Sequence, residues 1–173
     1  MTSKMTPPQQ QNYLAAESHI LDRSELITAV ETFRSQGKRI VFANGCFDVL
    51  HAGHVRYLEA AKALGDILIV AVNSDEQAGR LKGEGRPLLP QDQRAEIVSS
   101  LEAVDLVTIF DEPTVTELLL AVKPDIHAKG TDYTDETVPE RDVVRSFGGR
   151  VAIVGDPKDH SSSEMIKKAR SEP

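Results

Sequence analysis

Two histidines three residues apart, His51 and His54, lie in a segment whose residue types suit phosphate chemistry. Residues 44–54 have the sequence Asn-Gly-Cys-Phe-Asp-Val-Leu-His-Ala-Gly-His. Imidazole groups offered to a polyphosphate stabilise negative charge in a transition state, and Gly53 between them is expected to leave room for a ligand near the backbone. Histidine pairs also serve as helix caps or metal ligands. A metal site is not predicted, because the chain has one cysteine and no carboxylate at the matching helical spacing.

The elements around this segment explain how it would be positioned. An apolar run at 40–43 precedes it and a helix-forming stretch at 55–64 follows it. Ligands bind at the carboxyl ends of strands in α/β sheets, and the start of a helix offers unpaired N–H groups to phosphate. Strands alternate with helices along the rest of the chain, which predicts an α/β fold with a doubly wound parallel five-stranded sheet and helices on both faces. The predicted strands are 40–43, 67–72, 105–110, 125–128 and 150–154.

One domain is predicted, over residues 24–173, after an N-terminal tail. Residues 1–23 contain Gln, Ser and Pro with few apolar side chains, which predicts a poorly ordered tail. Ser24 is expected to cap the first helix, in which apolar residues recur at helical spacing, and Gly37 is expected to end it.

Composition excludes several classes of function. The chain has 173 residues and a net charge of −7, which argues against a nucleic-acid partner. No apolar run approaches the roughly 20 residues that span a bilayer, and no signal peptide is evident, so no membrane partner is expected. The single cysteine, Cys46, precludes an internal disulfide and fits a reducing compartment. A cytoplasmic protein is predicted.

A glycine-rich segment follows the second predicted strand. Residues 81–87 have the sequence Leu-Lys-Gly-Glu-Gly-Arg-Pro, in which flexible glycines separate Lys82 from Arg86. We expect this loop to be poorly ordered without nucleotide and to close so that both cations reach a triphosphate. A solvated surface loop is the alternative.

Three further clusters fall where strands end or helices begin. An arginine on a helix is ordinarily a surface residue, a glycine after a strand is ordinarily a plain turn, and serines at a helix start are ordinarily caps worth about 1 kcal/mol each. Together with the histidine segment, these clusters favour phosphate binding. They comprise Arg94, then Lys129, Gly130, Asp132 and Tyr133, then Ser161, Ser162 and Ser163.

The pattern Gly-Cys-Phe-Asp-x-x-His-x-Gly-His resembles the signature of the nucleotidyltransferase superfamily, which includes cytidylyltransferases and phosphopantetheine adenylyltransferase. Over about residues 24–168, the order of the clusters is similar to the bacterial D-glycero-β-D-manno-heptose 1-phosphate adenylyltransferases, which make ADP-heptose for lipopolysaccharide. In many bacteria this domain is fused to a sugar kinase, and the present chain is expected to be the stand-alone form. Two features depart from the pattern: three serines replace the usual Ser-Thr-Thr, and His127 stands where an apolar strand residue is expected.

This resemblance implies a Rossmann-like fold and a transfer of AMP from ATP to a sugar 1-phosphate, with Mg²⁺ bound through the nucleotide phosphates. A homodimer or other homo-oligomer is also expected. The alternatives are a cytidylyltransferase that uses CTP and acts on glycerol 3-phosphate or another alcohol phosphate, and a non-catalytic nucleotide-binding module. A dehydrogenase is disfavoured because no Gly-x-Gly-x-x-Gly turn follows the first strand. The expected catalytic residues are His51, His54 and Lys82, and the expected binding residues are Asn44, Gly45, Cys46, Phe47, Asp48, Gly53, Arg86, Arg94, Lys129, Gly130, Asp132, Tyr133, Ser161, Ser162 and Ser163.

Overall fold

The structure, a computed structural model, describes residues 19–157 and 161–171, in which strands and helices alternate along the chain. The strands are β1 (Ile40–Gly45), β2 (Ile67–Asn73), β3 (Leu106–Phe110), β4 (Ile126–Lys129) and β5 (Arg150–Ile153). The helices are α1 (Arg23–Ser35), α2 (Ala52–Lys62), α3 (Asp75–Lys82), α4 (Gln91–Ser99), α5 (Thr116–Val122), α6 (Arg141–Ser146) and α7 (Ser162–Ser171), with a 3₁₀ turn at Asp135–Thr137.

The sheet has the strand order β3-β2-β1-β4-β5, and every neighbouring pair is parallel. Strand β1 therefore lies in the middle of the sheet. Strands β2 and β3 follow on one side of it, and β4 and β5 follow on the other side, so the strand order reverses at β1. Ligands bind outside the carboxyl ends of the strands at such a switch point. The predicted Rossmann-like, doubly wound sheet is confirmed, and the switch point falls at the end of β1.

Two apolar clusters cover the two faces of the sheet. Side chains alternate along a strand, so Val41 and Ala43 pack on one face, with residues of α2 and α4. Ile40 and Phe42 pack on the other face, with residues of α1, α5 and α6. All four side chains are fully buried. Burial of an aliphatic or aromatic side chain stabilises the fold by about 1.5–3 kcal/mol, so both layers hold β1 firmly in place.

The described part of the chain begins ahead of the predicted boundary at residue 24. Ile20 pairs in parallel with Val107, next to the edge strand β3. The N-cap of α1 is Asp22, two residues before the predicted Ser24, because its carboxylate accepts the Glu25 N–H at 2.8 Å and Glu25 accepts the Asp22 N–H at 2.9 Å. This reciprocal capping box satisfies two helix-end donors. The predicted tail lies outside the described residues as far as residue 18.

Across residues 19–157 and 161–171, no helix combines the length and the apolar character needed to cross a bilayer.

Candidate active site

A cavity of about 460 Å³ lies at the carboxyl ends of β1 and β4 and brings most of the predicted clusters together. The predicted residues that line it are Asn44, Gly45, Cys46, Phe47, Asp48, His51, Gly53, His54, Lys82, Lys129, Gly130, Asp132, Tyr133, Ser161 and Ser162. Arg86, Arg94 and Ser163 are not part of this lining.

The histidine pair is fixed by backbone hydrogen bonds at the start of α2. His51 is the N-cap, and its Nδ1 accepts the Gly53 N–H at 3.1 Å. His54 Nδ1 accepts the His51 N–H at 3.3 Å. A backbone N–H only donates, so each neutral ring must carry its proton on Nε2, which is the donor that a phosphate oxygen needs. The rings stack with centroids 3.9 Å apart, so one arrangement both caps the helix and provides paired N–H donors.

The His51 ring leaves no room for a side chain at Gly53, which also lines the cavity. A Cβ atom at this position would lie 2.9 Å from two atoms of the ring. Real Cβ atoms do not come so close to other heavy atoms, so any side chain would displace the imidazole.

Phe47 turns the chain between β1 and α2 in a strained backbone conformation. Its φ is +49°, in the left-handed region where non-glycine residues are uncommon and cost about 1–3 kcal/mol. The buried ring lies 5.4 Å from the His54 ring. A Cβ on Gly45 would come within 3.1 Å of the same ring, so Gly45 makes room for it. Phe47 therefore packs against the His54 ring and helps to fix its position.

Asp48 anchors the glycine-rich segment to the β1–α2 turn. The Asp48 carboxylate accepts the backbone N–H of Leu88 at 2.7 Å and of Leu89 at 3.0 Å, and Arg86 Nε donates to it at 2.5 Å. Burial alone would raise the pKa of Asp48, but the bonds from Leu89, Arg86 and Leu88 hold it below its ordinary value of 3.8. Arg86 Nε is thus paired with Asp48, its Nη2 is buried with no hydrogen-bond partner among the described residues, and the residue is not part of the cavity lining.

Lys82 differs from the expectation of a flexible loop. It is the last residue of α3, and Gly83, with φ +94°, ends that helix. The side chain is exposed and the residue lines the cavity. A helix end places the ammonium group near the cavity without a loop closure, and the bonds to Asp48 tie down the chain that follows.

Arg94 has a structural position in place of the predicted ligand contact. Its side chain is fully buried. Nη1 donates to the Cys46 carbonyl at 2.6 Å, Nε to the Leu89 carbonyl at 2.9 Å, and Nη2 to the Asp75 carboxylate at 2.8 Å. One guanidinium thus connects the turn between β1 and α2, the segment that follows α3, and the first residue of α3.

Lys129 brings a second ammonium group to the cavity from the end of β4. It is buried, lies 3.8 Å from the Glu140 carboxylate and sits 4.7 Å from the centre of the Tyr133 ring. Burial lowers the pKa of Lys129, while the Glu140 and Asp132 charges act to raise it. The cation is therefore held in one place between an acid and an aromatic face.

The Cys46 thiol is not set up as a nucleophile. Burial raises the pKa of the thiol above its ordinary value, against the opposing effect of Lys82 and Arg94. Cys46 Sγ donates to the Asn73 side-chain oxygen at 3.7 Å. A protonated, hydrogen-bonded thiol is unreactive, so Cys46 contributes its backbone.

Several lining residues were not predicted from the sequence. Arg56 pairs with Asp156 at 2.9 Å, and Thr131 Oγ1 donates to the Asp156 carbonyl at 2.6 Å. The Tyr57 hydroxyl donates to the Ala128 carbonyl at 2.7 Å and ties α2 to β4. Tyr57 follows His54 by three residues and so shares its helix face, which is a signal available in the sequence. The Arg56 pair spans 100 residues of chain and has no local signal.

Within the ranges that the structure covers, no three His, Cys, Asp or Glu side chains are grouped so that they could hold a metal ion.

A doubly wound sheet with a histidine pair and two lysines at its switch point has the arrangement of a nucleotidyltransferase. Comparison with known proteins agrees: residues 42–170 match the family model described as cytidylyltransferase-like. The chain therefore belongs to the cytidylyltransferase-like family.

Curated relatives match the chain over most of its length. The bifunctional protein HldE of Pelobacter propionicus is 46% identical over 172 residues, which is 96% of this chain and 35% of that protein. The bifunctional protein HldE of a Bradyrhizobium species is 47% identical over 161 residues, or 92% of this chain and 33% of that protein. The chain spans about a third of the length of these relatives.

Solved structures share the fold. The crystal structure of the lipopolysaccharide core biosynthesis protein from Thermoplasma volcanium GSS1 is 34% identical, with a TM-score of 0.59 over 68% of this chain and 95% of that chain. The pantoate-β-alanine ligase of Francisella tularensis, complexed with β-γ ATP and β-alanine, has a TM-score of 0.58 over 87% of this chain and 76% of its own. Its 16% identity supports the fold alone.

Proposed function

We propose that this protein is an adenylyltransferase that joins D-glycero-β-D-manno-heptose 1-phosphate to the AMP part of ATP and yields ADP-heptose and pyrophosphate. The observation that carries the proposal is the pair of Nε2–H histidines at the start of α2, which faces the same cavity as Lys82 and Lys129. The sugar is supported by the resemblance over residues 24–168 and by the likeness to a lipopolysaccharide core biosynthesis protein.

The reaction needs positioning and charge neutralisation more than covalent help. A phosphate oxygen of the sugar 1-phosphate attacks the α-phosphorus of ATP in line. The bond from the α-phosphorus to the bridging oxygen breaks as the new P–O bond forms, and pyrophosphate leaves with that electron pair. No protein nucleophile takes part, in agreement with the protonated thiol of Cys46.

Each cation and donor of the cavity has a role in this transfer. His51 and His54 donate Nε2–H bonds to oxygens of the α- and β-phosphates, where negative charge develops. The helix start of α2 adds the favourable end of its dipole. Lys82, exposed at the end of α3, neutralises the leaving pyrophosphate. Lys129, fixed by Glu140 and Tyr133, holds a phosphate from the β4 side.

Mg²⁺ is proposed to enter with the nucleotide. The protein side of the cavity does not fit a resident ion, because the Asp48 carboxylate already accepts three hydrogen bonds and the described side chains form no ligand group. An ion bridging ATP phosphates and keeping several waters needs no such group, and it would lower the negative charge that the attacking phosphate meets.

A second candidate is a cytidylyltransferase acting on glycerol 3-phosphate. It is consistent with the matching family model, which is described as cytidylyltransferase-like. The choice of base would fall to the cavity residues around Lys129 and Tyr133 and to the start of α7. We also propose that the protein is cytoplasmic and that it forms a homo-oligomer. Sedimentation of the purified protein would test the oligomeric state.

Pyrophosphate release across four nucleoside triphosphates and several phosphorylated acceptors separates the candidates. We expect turnover of ATP with heptose 1-phosphate, and only with Mg²⁺ or a similar ion present. A His51→Ala, His54→Ala double variant purified in the same way controls for contaminating enzymes. Turnover of CTP with glycerol 3-phosphate in place of ATP would overturn the assignment of sugar and base.

A further inference from the structure

His127 is a buried histidine that packing does not explain. It lies on β4, has no exposed surface and pairs in register with Phe42 of β1. The Phe42 and His127 rings meet edge to face with centroids 5.8 Å apart. An aliphatic side chain would fill this position without burying polar atoms. Packing alone therefore does not explain why an imidazole is present.

The imidazole makes one hydrogen bond, to a residue of the cavity. Its Nε2 lies 3.0 Å from the Asn44 side-chain oxygen. Its Nδ1 is buried and has no partner among the described residues. If Nδ1 carried the proton, a buried N–H would be left unpaired, which is rarer and more costly than an unpaired lone pair. The proton therefore belongs on Nε2, which donates to Asn44.

The ring remains a donor throughout the neutral pH range. Burial lowers the pKa of His127 to about 3, and the Lys129 charge adds to the effect. A ring that stays neutral keeps one proton, and the hydrogen bond to Asn44 keeps that proton on Nε2.

This hydrogen bond fixes the orientation of the Asn44 carboxamide. Asn44 is half-buried at the carboxyl end of β1 and lines the cavity. With its oxygen turned to His127, its NH₂ group is at the opposite end. We propose that His127 is a positioning residue, which fixes Asn44 so that its NH₂ group donates to a phosphate oxygen of a bound substrate. The identity of that substrate rests on the proposed function.

The tautomer of His127 tests the positioning without any activity. In protein with ¹⁵N-labelled histidine, the His127 signals are identified by their loss in His127→Leu. We expect shifts of a neutral ring protonated on Nε2 that do not change from about pH 5 to pH 9. Protonation on Nδ1, or a titration near the ordinary histidine pKa of 6.5, overturns the proposal.

A double-mutant cycle tests the consequence for the substrate. His127→Leu should lower kcat/KM about tenfold, the value of one oriented hydrogen bond, while the melting temperature stays or rises because a half-satisfied polar group is gone. His127→Gln, whose amide N–H can donate to Asn44, should restore part of the loss. In an Asn44→Ala background, His127→Leu should have no further effect.

Additive losses in that cycle, or a fully active His127→Leu variant, overturn the proposal. The KM values for nucleotide and for acceptor show whose phosphate Asn44 contacts. If no substrate is turned over by the wild-type protein, the proposed function fails, and the cycle is then run on the Kd for ATP alongside the tautomer measurement.

Discussion

Replacing Arg94 by methionine removes the one guanidinium that joins three segments of the site. Methionine is similar in length and fills most of the space, so the cost arises mainly from lost hydrogen bonds. The half-buried carbonyls of Cys46 and Leu89 lose their donors at about 1–1.5 kcal/mol each. Asp75, whose side chain is 46% exposed, returns to water and adds at most about 1 kcal/mol.

The sum is about 2–4 kcal/mol, which lowers the melting temperature of a chain of this size by about 4–16 °C. Thermal unfolding followed by circular dichroism measures this change. Steady-state kinetics at temperatures well below the melting temperature should also show a reduced kcat, because the Cys46 carbonyl has lost its hydrogen bond to Arg94. Arg80→Met is the matched control: the Arg80 side chain is 60% exposed and pairs with Glu76, which is equally exposed, so the change should stay within about 0.5 kcal/mol. A melt of Arg94→Met that matches the control would refute the reasoning.

Three other substitutions probe single features. Asp48→Asn leaves Arg86 unpaired and should lower the free energy of unfolding, measured with urea, by about 2–4 kcal/mol. Because the pKa of Asp48 lies below its ordinary 3.8, this stabilisation is complete above that pH and is lost as the pH falls through the pKa of the folded state. A difference between variant and wild type that stays constant with pH would contradict this explanation. Lys82→Ala should lower kcat by roughly 10²-fold with stability within about 0.5 kcal/mol, whereas exposed Lys38→Ala should leave both unchanged. Gly53→Ala should lower kcat more than about tenfold by displacing the His51 ring, and steady-state rates equal to wild type would show that the ring position is unimportant.

The parts of the site that are local in sequence were predictable. Strand β1, the turn after it and α2 are consecutive, so His51 and His54 were expected at the start of a helix beside a strand end, where the structure has them. The alternation of strands and helices likewise predicted a parallel sheet and, through it, the meeting of β1 and β4 at one edge.

The roles of the two buried arginines were not predictable in this way. Arg94 reaches Cys46 across 48 residues and Arg86 reaches Asp48 across 38, and no local pattern encodes such pairs. An arginine in a sequence shows its charge but not its partner, so both were assigned to phosphate. The contact that restricts Gly53 is likewise visible only in the structure, where a Cβ atom would lie against the neighbouring His51 ring.

Transient kinetics of His51→Ala and His54→Ala test the central claim, that this histidine pair stabilises the transition state of nucleotidyl transfer. With saturating ATP and sugar 1-phosphate, each variant should lose roughly 10²–10³-fold in kcat and little in KM, because the donors act where charge develops. His19→Ala, at an exposed histidine outside the cavity lining, should match wild type. Folded variants of His51 and His54 with near-normal kcat would reduce the pair to a helix cap and contradict the account.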